Sequence, residues 1–479
     1  MDMRTPLFSL LPRPTPMVLA GRRVLVLGLG DSGLSMACWA AQAGARVLAA
    51  DSRATPPGAA QLAARVPQAE HRFGAFDASL LEGADLVCLS PGLALAEPVV
   101  QAAIARGLPV LGDIELFAWQ LRDTNAMPTL RGARVAAITG TNGKTTVTAL
   151  LGHLLRAAGV DCEVAGNIGP AALEALMRRI EDGTRPAAWV LELSSYQLET
   201  TWSLAPDVAT VLNLSEDHLD RYASVDEYGA AKARIFAGAA LAVVNRDDAR
   251  ASALAAGAAR CVSFGLDAPR HDADFGILER DGTSWLAQGD RVIVEAAALG
   301  VHGRHNLANA LAAAALAHAL GVDAAAIARG LATFEGLPHR LQRVALRRRV
   351  AWYDDSKGTN VGAAVAALRG LDSAGRIVLI AGGDGKGQDF TPLAAPVAER
   401  TRCVLLIGRD APRIEAALVP SGASLERCAT LEDAVARAAA LAQPGDAVLL
   451  SPACASFDMF RDYRERGDLF TRAVRALGA

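Results

Sequence analysis

Short, mostly apolar runs that end in polar or glycine-rich turns recur along this chain, and segments with helical periodicity lie between them. Runs that are apolar at successive positions are typical of central strands in a parallel sheet, whose two faces are covered by helices. The pattern therefore predicts an α/β fold. The predicted strands are residues 24–27, 46–50, 84–89, 108–111, 135–138, 188–192, 208–212, 376–381, 403–407 and 447–450.

The first predicted strand leads into Gly28-x-Gly30-x-x-Gly33 and a helix. Glycines with this spacing indicate a nucleotide diphosphate at a helix N-terminus. The second strand ends at Asp51, where an acidic residue is placed to hold a ribose hydroxyl, and the third ends at Ser90-Pro-Gly92. Because open sheets bind ligands at the carboxyl ends of their strands, we expect a nucleotide site at this edge.

A second glycine-rich turn, Gly140-Thr-Asn-Gly-Lys-Thr-Thr146, follows the apolar run 135–138 and precedes a predicted helix over 147–158. It is shorter than the common phosphate loop, which has a glycine where Ile138 stands here. The loop geometry directs backbone N–H groups at phosphate. We expect Lys144 to reach the terminal phosphates of a nucleotide and the Thr145 hydroxyl to bind Mg²⁺.

Several polar residues downstream are candidates for the same chemistry. Glu192 ends an apolar strand, where a Mg²⁺-binding carboxylate belongs beside a phosphate loop. His218 lies among acidic residues, and the pattern leaves a metal ligand and a surface histidine equally open. Lys232, on a helix predicted over 227–236, has the pattern of a solvent-exposed lysine. Asn306 and Asn309 share one helix face, which suits adenine edges or helix capping.

Length and turn composition predict three domains: 1–112, 113–336 and 337–479. We expect an N-terminal Rossmann-like domain, a central P-loop ATPase-like domain with an appended small β region over 262–301, and a C-terminal Rossmann-like domain. Residues 123–132 form a predicted linker that has no assigned role.

Composition excludes several classes of protein. A net charge of −3 without a basic arm argues against a nucleic-acid binder. Seven scattered cysteines without a C-x-x-C pair argue against a disulfide framework and a cysteine-type zinc site. The chain has neither a secretory signal pattern nor an apolar run long enough to span a bilayer. We expect a monomeric cytoplasmic protein that binds neither nucleic acid nor membrane.

Nearly end to end, the motifs of this chain resemble those of the Mur ligases. Two stretches, 195–199 and 451–456, resemble the D-glutamate-adding member of that family in particular. The motifs are Asp113-Ile-Glu-Leu-Phe117, Thr139-Gly-Thr-Asn-Gly-Lys-Thr145, Gly166-Asn-Ile-Gly169, Leu191-Glu-Leu-Ser-Ser-Tyr-Gln-Leu-Glu199, Glu216-Asp-His-Leu-Asp-Arg-Tyr222, Leu337-Pro-His-Arg340, Asp355-Ser-Lys357, Gly382-Gly-Asp-Gly-Lys386 and Ser451-Pro-Ala-Cys-Ala-Ser456.

The resemblance implies an amide-bond ligase of peptidoglycan precursor synthesis. ATP would phosphorylate the carboxylate of UDP-N-acetylmuramoyl-L-alanine, and D-glutamate would attack the acyl phosphate through a tetrahedral intermediate. Two Mg²⁺ sites are implied, and so is a CO₂-derived carbamate on Lys232. By resemblance, His218 becomes a ligand of the second Mg²⁺.

The resemblance also assigns residues to sites, all by their position in the matching motifs. The implied catalytic residues are Lys144, Glu192, His218 and Lys232. The implied metal ligands are Thr145, Glu192, His218 and carbamylated Lys232. The implied ATP contacts are Gly140, Thr141, Asn142, Gly143, Lys144, Thr145, Thr146, Asn306, Asn309, Arg340 and Asp355. The implied UDP-precursor contacts are Gly30, Asp31, Ser32, Asp51, Arg53, Ser90, Gly92 and Asn167. The implied D-glutamate contacts are His218, Lys357, Thr359, Lys386, Ser456 and Tyr463.

Three other functions compete with this interpretation. The Gly28 motif and Asp51 are compatible with an NAD-dependent dehydrogenase. A related Mur ligase or a folylpolyglutamate-type ligase would add a different amino acid. An ATP-dependent switch protein would hydrolyse ATP slowly and would not respond to sugar precursor or amino acid.

Overall fold

The computed structural model describes residues 6–122, 132–218, 221–301, 303–371 and 373–477. The predicted linker 123–132 lies outside these residues except at Gly132. Within the described ranges, the helices are all too short or too polar to cross a membrane. The chain forms three sheets, each with helices packed against it, and each is described below as a domain.

The N-terminal domain is a parallel five-stranded sheet with the order β3-β2-β1-β4-β5. The chain reverses direction across the sheet between β1 and β4, and such a switch point creates a crevice at the carboxyl ends of the strands. The strands are β1 (Arg23–Leu27), β2 (Arg46–Asp51), β3 (Glu70–Phe73), β4 (Leu86–Leu89) and β5 (Val110–Leu111). The helices are α1 (Asp31–Gln42), α2 (Ala59–Arg65), α3 (Pro98–Ala105) and α4 (Asp113–Arg122), which leads into the central domain.

The central domain is a nine-stranded sheet with the order β14-β13-β12-β11-β10-β9-β6-β8-β7. Its strands are β6 (Arg134–Thr139), β7 (Cys162–Gly166), β8 (Ala188–Glu192), β9 (Val208–Val211), β10 (Leu241–Asn245), β11 (Cys261–Phe264), β12 (Phe275–Arg280), β13 (Thr283–Gln288) and β14 (Arg291–Glu295). Its helices are α5 (Lys144–Ala157), α6 (Ala172–Glu181), α7 (Ser195–Glu199), α8 (Val225–Ala233), α9 (Ala249–Ala253), α10 (Arg304–Ala319) and α11 (Ala324–Thr333).

The predicted small β region is present, but it continues the central sheet rather than standing beside it. β11 pairs in parallel with β10, and β12, β13 and β14 then form an antiparallel meander at that edge. Two predicted helices also differ at their ends. The helix predicted from residue 147 begins at Lys144, and the one predicted over 227–236 ends as α8 at Ala233, followed by a 3₁₀ turn at Arg234–Phe236.

The C-terminal domain is a six-stranded sheet with the order β15-β16-β20-β17-β18-β19, in which only β15 is antiparallel to its neighbour. Its strands are β15 (Gln342–Arg347), β16 (Val350–Asp354), β17 (Ile377–Gly382), β18 (Thr401–Ile407), β19 (Ser424–Arg427) and β20 (Ala447–Leu450). Its helices are α12 (Val361–Gly370), α13 (Ala394–Arg400), α14 (Ala411–Leu418), α15 (Leu431–Leu441) and α16 (Tyr463–Ala476).

One hydrophobic core runs from the N-terminal sheet through α4 to one face of the central sheet. Phe117 of α4 meets Trp189 of β8 edge to face, with ring centroids 4.9 Å apart. Glu115, on the same helix, is buried and accepts hydrogen bonds from the backbone N–H groups of Trp202 and Ser203 at 2.7 and 2.9 Å. The C-terminal sheet has separate cores on its two faces. The first two domains are therefore joined by packing, whereas the third has cores of its own.

Candidate active site

The glycine-rich loop between β6 and α5 is docked on the end of β9 by Asn213. The Asn142 N–H donates to Asn213 Oδ1 at 2.8 Å, and Asn213 Nδ2 donates to Asn142 O at 3.0 Å. The Thr141 N–H donates to Asn213 O at 3.0 Å. Sequence reasoning did not single out Asn213. Its signal was its position, a polar residue directly after an apolar strand.

Lys144 is the first residue of α5, and its side chain folds back over the loop. Its Nζ lies 2.8 Å from both Gly140 O and Thr141 O. Burial lowers the pKa of Lys144, and the nearby Glu192 and Asp217 carboxylates oppose this shift. Its ammonium group therefore lies against the carbonyl groups of the first two residues of the loop.

Lys232 lies beside Lys144 and is buried, so the exposed position suggested by the helical pattern is wrong. Its side chain is 1 % exposed, and its Nζ lies 2.9 Å from Gly140 O and 3.4 Å from Thr139 Oγ1. The same Nζ is 4.4 Å from the centre of the Tyr228 ring. Burial, followed by repulsion from Lys144, lowers the pKa of Lys232 well below its ordinary value.

Glu192 ends β8 as predicted and carries a carboxylate that is only partly satisfied. Asn167 Nδ2 donates to its Oε1 at 2.7 Å. Its Oε2 is buried and has no hydrogen-bond partner among the described residues. A buried carboxylate oxygen without a partner is costly unless a cation or a donor meets it. Glu192 therefore fits a divalent cation near Lys144 and Lys232.

His218 has a left-handed backbone with φ of 56°, and its ring is held by aromatic neighbours. The Tyr196 hydroxyl lies 2.7 Å from His218 Nδ1. The rings of Tyr196 and Tyr228 are 5.0 and 5.9 Å from the His218 ring. The described residues contain no cluster of three His, Cys, Asp or Glu side chains placed to bind a metal ion. Glu192 and His218 thus do not by themselves form such a cluster.

A cavity of about 330 Å³ lies between the phosphate loop and the C-terminal domain. On the central side, a Cβ added at Gly143, whose φ is 83°, would lie 2.5 Å from Asn309 Oδ1. Asn309 Nδ2 donates to Asn306 Oδ1 at 3.1 Å. The N-cap of α10 is Gly303, so neither asparagine caps this helix. The lining includes Asn142, Gly143, Thr146, Asn306, Asn309, Arg340, Asp355 and Lys357.

The opposite wall of the cavity carries charged residues of the C-terminal domain. Burial lowers the pKa of Arg340. Asp355 accepts from the Leu341 N–H at 3.2 Å and from Ser451 Oγ at 2.7 Å, and burial raises its pKa to about 7. Lys357 Nζ lies 3.9 Å from the centre of the Tyr463 ring, and burial lowers its pKa to about 8.

The loops that carry these residues are tied together by Arg466, which is fully buried. Its guanidinium donates to Ser356 Oγ at 3.0 Å, to Ser356 O at 2.8 Å and to Cys454 O at 3.2 Å. Ser356 precedes Lys357, and Cys454 lies two residues before Ser456. Sequence reasoning missed Arg466, because a helical arginine gives no signal of burial.

The remaining predicted D-glutamate contacts do not all lie at one place in the structure. Ser456 is 2 % exposed, and the Thr359 N–H donates to Lys357 O at 2.8 Å. Lys386 is exposed and lines neither the cavity described above nor the cleft described next. The structure therefore brings Lys357 and Tyr463 together, but it does not bring Lys386 to them.

A second, larger cleft of about 660 Å³ lies between the N-terminal and central domains. Five of the predicted UDP-precursor residues line it, namely Asp31, Ser32, Ser90, Gly92 and Asn167. Gly30, Asp51 and Arg53 do not. The Asp51 carboxylate accepts from the Leu29 N–H at 2.7 Å and from Arg53 Nε at 2.8 Å, and the Arg53 side chain lowers its pKa to about 2.

Packing explains two of the three glycines in the first loop. A Cβ at Gly33 would lie 1.8 Å from Gly28 O, and one at Gly28 would lie 2.8 Å from Ser90 Cβ. A Cβ at Gly30 would meet nothing within 4 Å, and Gly30 does not have a left-handed backbone. Neither packing nor a left-handed backbone therefore requires glycine at position 30, which is the N-cap of α1.

Asp113 connects the two walls of this cleft. It begins one of the family-like motifs, but the sequence predicted no role for it. Its Oδ2 accepts from Ser32 Oγ at 3.0 Å and from Gln197 Nε2 at 3.1 Å. Burial raises the pKa of Asp113. Because Ser32 belongs to the N-terminal domain and Gln197 to the central domain, Asp113 fixes the two walls relative to each other.

Family models match most of the chain. A MurD-like N-terminal domain of Mur ligases matches residues 22–112, the Mur ligase middle domain matches 138–317, and the Mur ligase glutamate ligase domain matches 339–454. The chain belongs to the Mur ligase family.

Among its curated relatives are two enzymes named UDP-N-acetylmuramoylalanine--D-glutamate ligase. The one from Nitrosospira multiformis is 53% identical over 466 residues, covering 97% of each chain. The one from Thiobacillus denitrificans is 54% identical over 468 residues, covering 96% of this chain and 98% of the relative.

Solved structures of other Mur ligases share the fold. MurF from Acinetobacter baumannii matches with a TM-score of 0.59 and 19% identity over 96% of this chain and 94% of its own. UDP-N-acetylmuramate-alanine ligase MurC from Thermotoga maritima matches with a TM-score of 0.58 and 19% identity, over 95% of this chain and 100% of its own. The predicted α/β fold is thereby confirmed.

Proposed function

We propose that this protein is an ATP-dependent ligase that joins D-glutamate to UDP-N-acetylmuramoyl-L-alanine in peptidoglycan precursor synthesis. The near full-length identity to ligases of that name supports the substrates. One structural observation supports the proposed reaction. The phosphate loop and three charged residues of the C-terminal domain, Arg340, Asp355 and Lys357, surround a single cavity.

The reaction needs no nucleophile from the enzyme. The precursor carboxylate takes the terminal phosphoryl group of ATP, which gives an acyl phosphate and ADP. The amine of D-glutamate then adds to the acyl carbon, and phosphate leaves from the tetrahedral intermediate as the nitrogen loses its proton. Cations that surround the transferred group stabilise the charge that develops, and the protein mainly supplies position. Lys144, Arg340 and Lys357 are placed for this role.

We propose that the nucleotide lies in the cavity of about 330 Å³ and the UDP precursor in the cleft of about 660 Å³. The proposed ATP contacts are Gly140, Thr141, Asn142, Gly143, Lys144, Thr145, Thr146, Asn306, Asn309, Arg340 and Asp355. The proposed precursor contacts are Gly30, Asp31, Ser32, Ser90, Gly92 and Asn167, with Asp51 and Arg53 shaping the loop beneath them. The geometry supports this division because the phosphate loop and Asn309 line the first site, whereas Ser32 and Asn167 line the second.

We propose Thr145, Glu192, His218 and carbamylated Lys232 as the residues that hold two Mg²⁺ ions, which would draw electron density from the phosphoryl oxygens. The buried Oε2 of Glu192 supports a cation there. The depressed pKa of Lys232 supports the carbamate, because only the neutral amine reacts with CO₂. A carbamate would add an anionic ligand to a site in which Glu192 is the only proposed carboxylate ligand.

For the amine substrate we propose His218, Lys357, Thr359, Lys386, Ser456 and Tyr463. Lys357 Nζ already lies over the Tyr463 ring, and the exposed side chain of Lys386 would have to approach them. We also propose the domain limits 1–112, 113–336 and 337–479, and a monomeric state.

A matrix of UDP-sugar precursors against amino acids, read by phosphate release, tests the function. Release should require ATP, Mg²⁺, UDP-N-acetylmuramoyl-L-alanine and D-glutamate together. Full activity with L-lysine or L-alanine in place of D-glutamate would refute the substrate assignment. ATP hydrolysis that ignores precursor and amino acid would indicate a switch protein instead. Binding of NADH would favour the dehydrogenase, although the Asp51 carboxylate is already engaged by Leu29 and Arg53.

A further inference from the structure

The side chain of Asn360 links the C-terminal domain to the phosphate loop of the central domain. Its Nδ2 donates to Asn142 Oδ1 at 3.2 Å and to Asp217 Oδ2 at 3.4 Å. Its Oδ1 accepts from the Ala363 N–H at 2.8 Å and thereby caps α12. The carbonyl end of one amide thus holds its own helix, while the N–H end holds the neighbouring domain.

Both partners of this amide lie at the proposed site of phosphoryl transfer. Asn142 belongs to the phosphate loop. The charge of Asp217 acts on both Lys144 and Lys232, opposing the fall in their pKa values. Asn360 itself is 9 % exposed and lines neither the cavity nor the cleft. Its influence on the reaction is therefore exerted through these neighbours.

The segment that ends at Asn360 carries two of the proposed D-glutamate contacts, Lys357 and Thr359. The first turn of α12 also lies close to the loop. A Cβ added at Gly362 would be 3.3 Å from Ser215 Oγ and 3.5 Å from Asn142 Nδ2. Glycine there permits this approach, and the Asn360 bonds fix the segment relative to the phosphate loop.

We propose that Asn360 is a positioning residue that sets the distance between the phosphate loop and the segment carrying Lys357. This inference rests on the proposed ligase function. The acyl phosphate forms at the loop, whereas the attacking amine is held by the C-terminal domain. A displacement of about 1 Å between two such groups is enough to slow a bond-forming step about a hundredfold. A hydrogen bond that spans the two domains, and that meets a charged acceptor, is suited to prevent it.

Two substitutions separate this role from the capping role. Asn360→Ser and Asn360→Asp both keep an oxygen that can cap α12. Serine is too short to reach Asn142, and aspartate has no N–H and places a second carboxylate beside Asp217. We expect kcat/KM for D-glutamate to fall about tenfold or more in both variants, and further in Asn360→Asp. The KM for the UDP precursor should stay within about twofold, because its cleft is lined by other residues.

Asp323→Ser is the matched control. Asp323 caps α11 of the central domain by accepting from the Ala326 N–H at 2.8 Å, so this change alters a cap without altering a link between domains. It should leave kcat/KM for D-glutamate unchanged. Near wild-type kcat/KM in both Asn360 variants would overturn the proposal, and so would a loss that follows a lowered Tm or that affects only the precursor KM. An inactive wild-type protein in the same assay would instead refute the ligase function.

Discussion

Lys144 and Lys232 donate to the same backbone oxygen, the carbonyl of Gly140, from 2.8 and 2.9 Å. Two ammonium groups on one acceptor repel each other, and burial disfavours both charges. Both pKa values fall, and that of Lys232 falls well below its ordinary value. Of the two amines, Lys232 therefore loses its proton more readily.

Replacement of Lys232 should abolish activity and raise stability together. The folded-state pKa of Lys232 lies below the unfolded value, so between these two values the unfolded chain binds more protons and stability rises with pH. Lys232→Met removes this penalty. We expect a higher Tm at pH 7 and a loss of activity on the order of a hundredfold or more. The exposed Lys386, changed to Met, should leave Tm unchanged.

The proposed carbamate on Lys232 has its own test. Lys232→Ala should be inactive in plain buffer and should recover part of its activity when short carboxylates such as formate or acetate are added, because they supply the missing anion. Activity equal to wild type in Lys232→Ala would remove the carbamate from the mechanism.

Substitution of two glycines at opposite ends of α5 distinguishes an effect on nucleotide binding from an effect of backbone strain. Gly143 and Gly159 both have a left-handed backbone, with φ of 83° and 77°. A Cβ at Gly143 would lie 2.5 Å from Asn309 Oδ1, whereas one at Gly159 would meet nothing within 4 Å. Each change to Ala should cost about 1–2 kcal/mol of stability through φ alone. Only Gly143→Ala should also raise the KM for ATP, by about tenfold or more. Equal KM values in the two variants would place ATP elsewhere.

His339 and Asp354 should give the protein a pH-dependent increment of stability. His339 Nδ1 lies 2.7 Å from Asp354 Oδ2, and this hydrogen bond raises the pKa of His339. Because the folded-state value is the higher one, the stabilisation is complete below pH about 6.5 and is lost as the pH rises through the folded-state pKa. His339→Gln should cost about 1 kcal/mol at pH 6 and less at pH 9, by denaturant titration. The exposed His271, changed to Gln, should show no such difference.

Asp355 should show a dependence of the same sign over a lower range of pH. Burial raises its pKa to about 7, so the folded protein retains a proton there that the unfolded chain loses, and stability falls as the pH rises from about 4 to 7. We therefore compare the Tm of Asp355→Asn with that of wild type at each pH. This difference should favour the variant more at pH 8 than at pH 5. Asp389→Asn provides a contrast, because the Thr391 side chain lowers the pKa of Asp389 and the sign should reverse. If the Tm difference from wild type changed with pH in the same direction for both variants, this account would be contradicted.

Local patterns identified many of the strands, although β7 and β10 were not among those predicted. The run predicted at 447–450 is β20, and that at 188–192 is β8, because a buried strand must be apolar along its whole length. The burial of Lys232 was not visible in the same way. Its helix, Val225–Ala233, has no marked apolar face. The groups that contact its Nζ, Gly140 and Thr139, lie more than ninety residues away.

Side-chain contacts between loops that are distant in sequence were equally hard to predict. Arg466 meets Ser356 across a sequence separation of 110 residues, and Asn360 meets Asn142 across 218. No periodicity encodes such pairs. Asp51 shows the converse case, since the motif suggested a free carboxylate and the folded chain engages it with Arg53 two residues later.

The meander β12–β14 has a practical consequence for anyone who shortens this protein. Because β11 continues the ladder of β10, a chain that lacks residues 261–295 would present β10 as a bare edge, with a row of unsatisfied N–H and C=O groups along Leu241–Asn245. Edges of this kind recruit strands from other molecules. We expect such a shortened chain to self-associate and to precipitate at concentrations that the full chain tolerates. In the full chain, β11–β14 protect the edge of the central sheet.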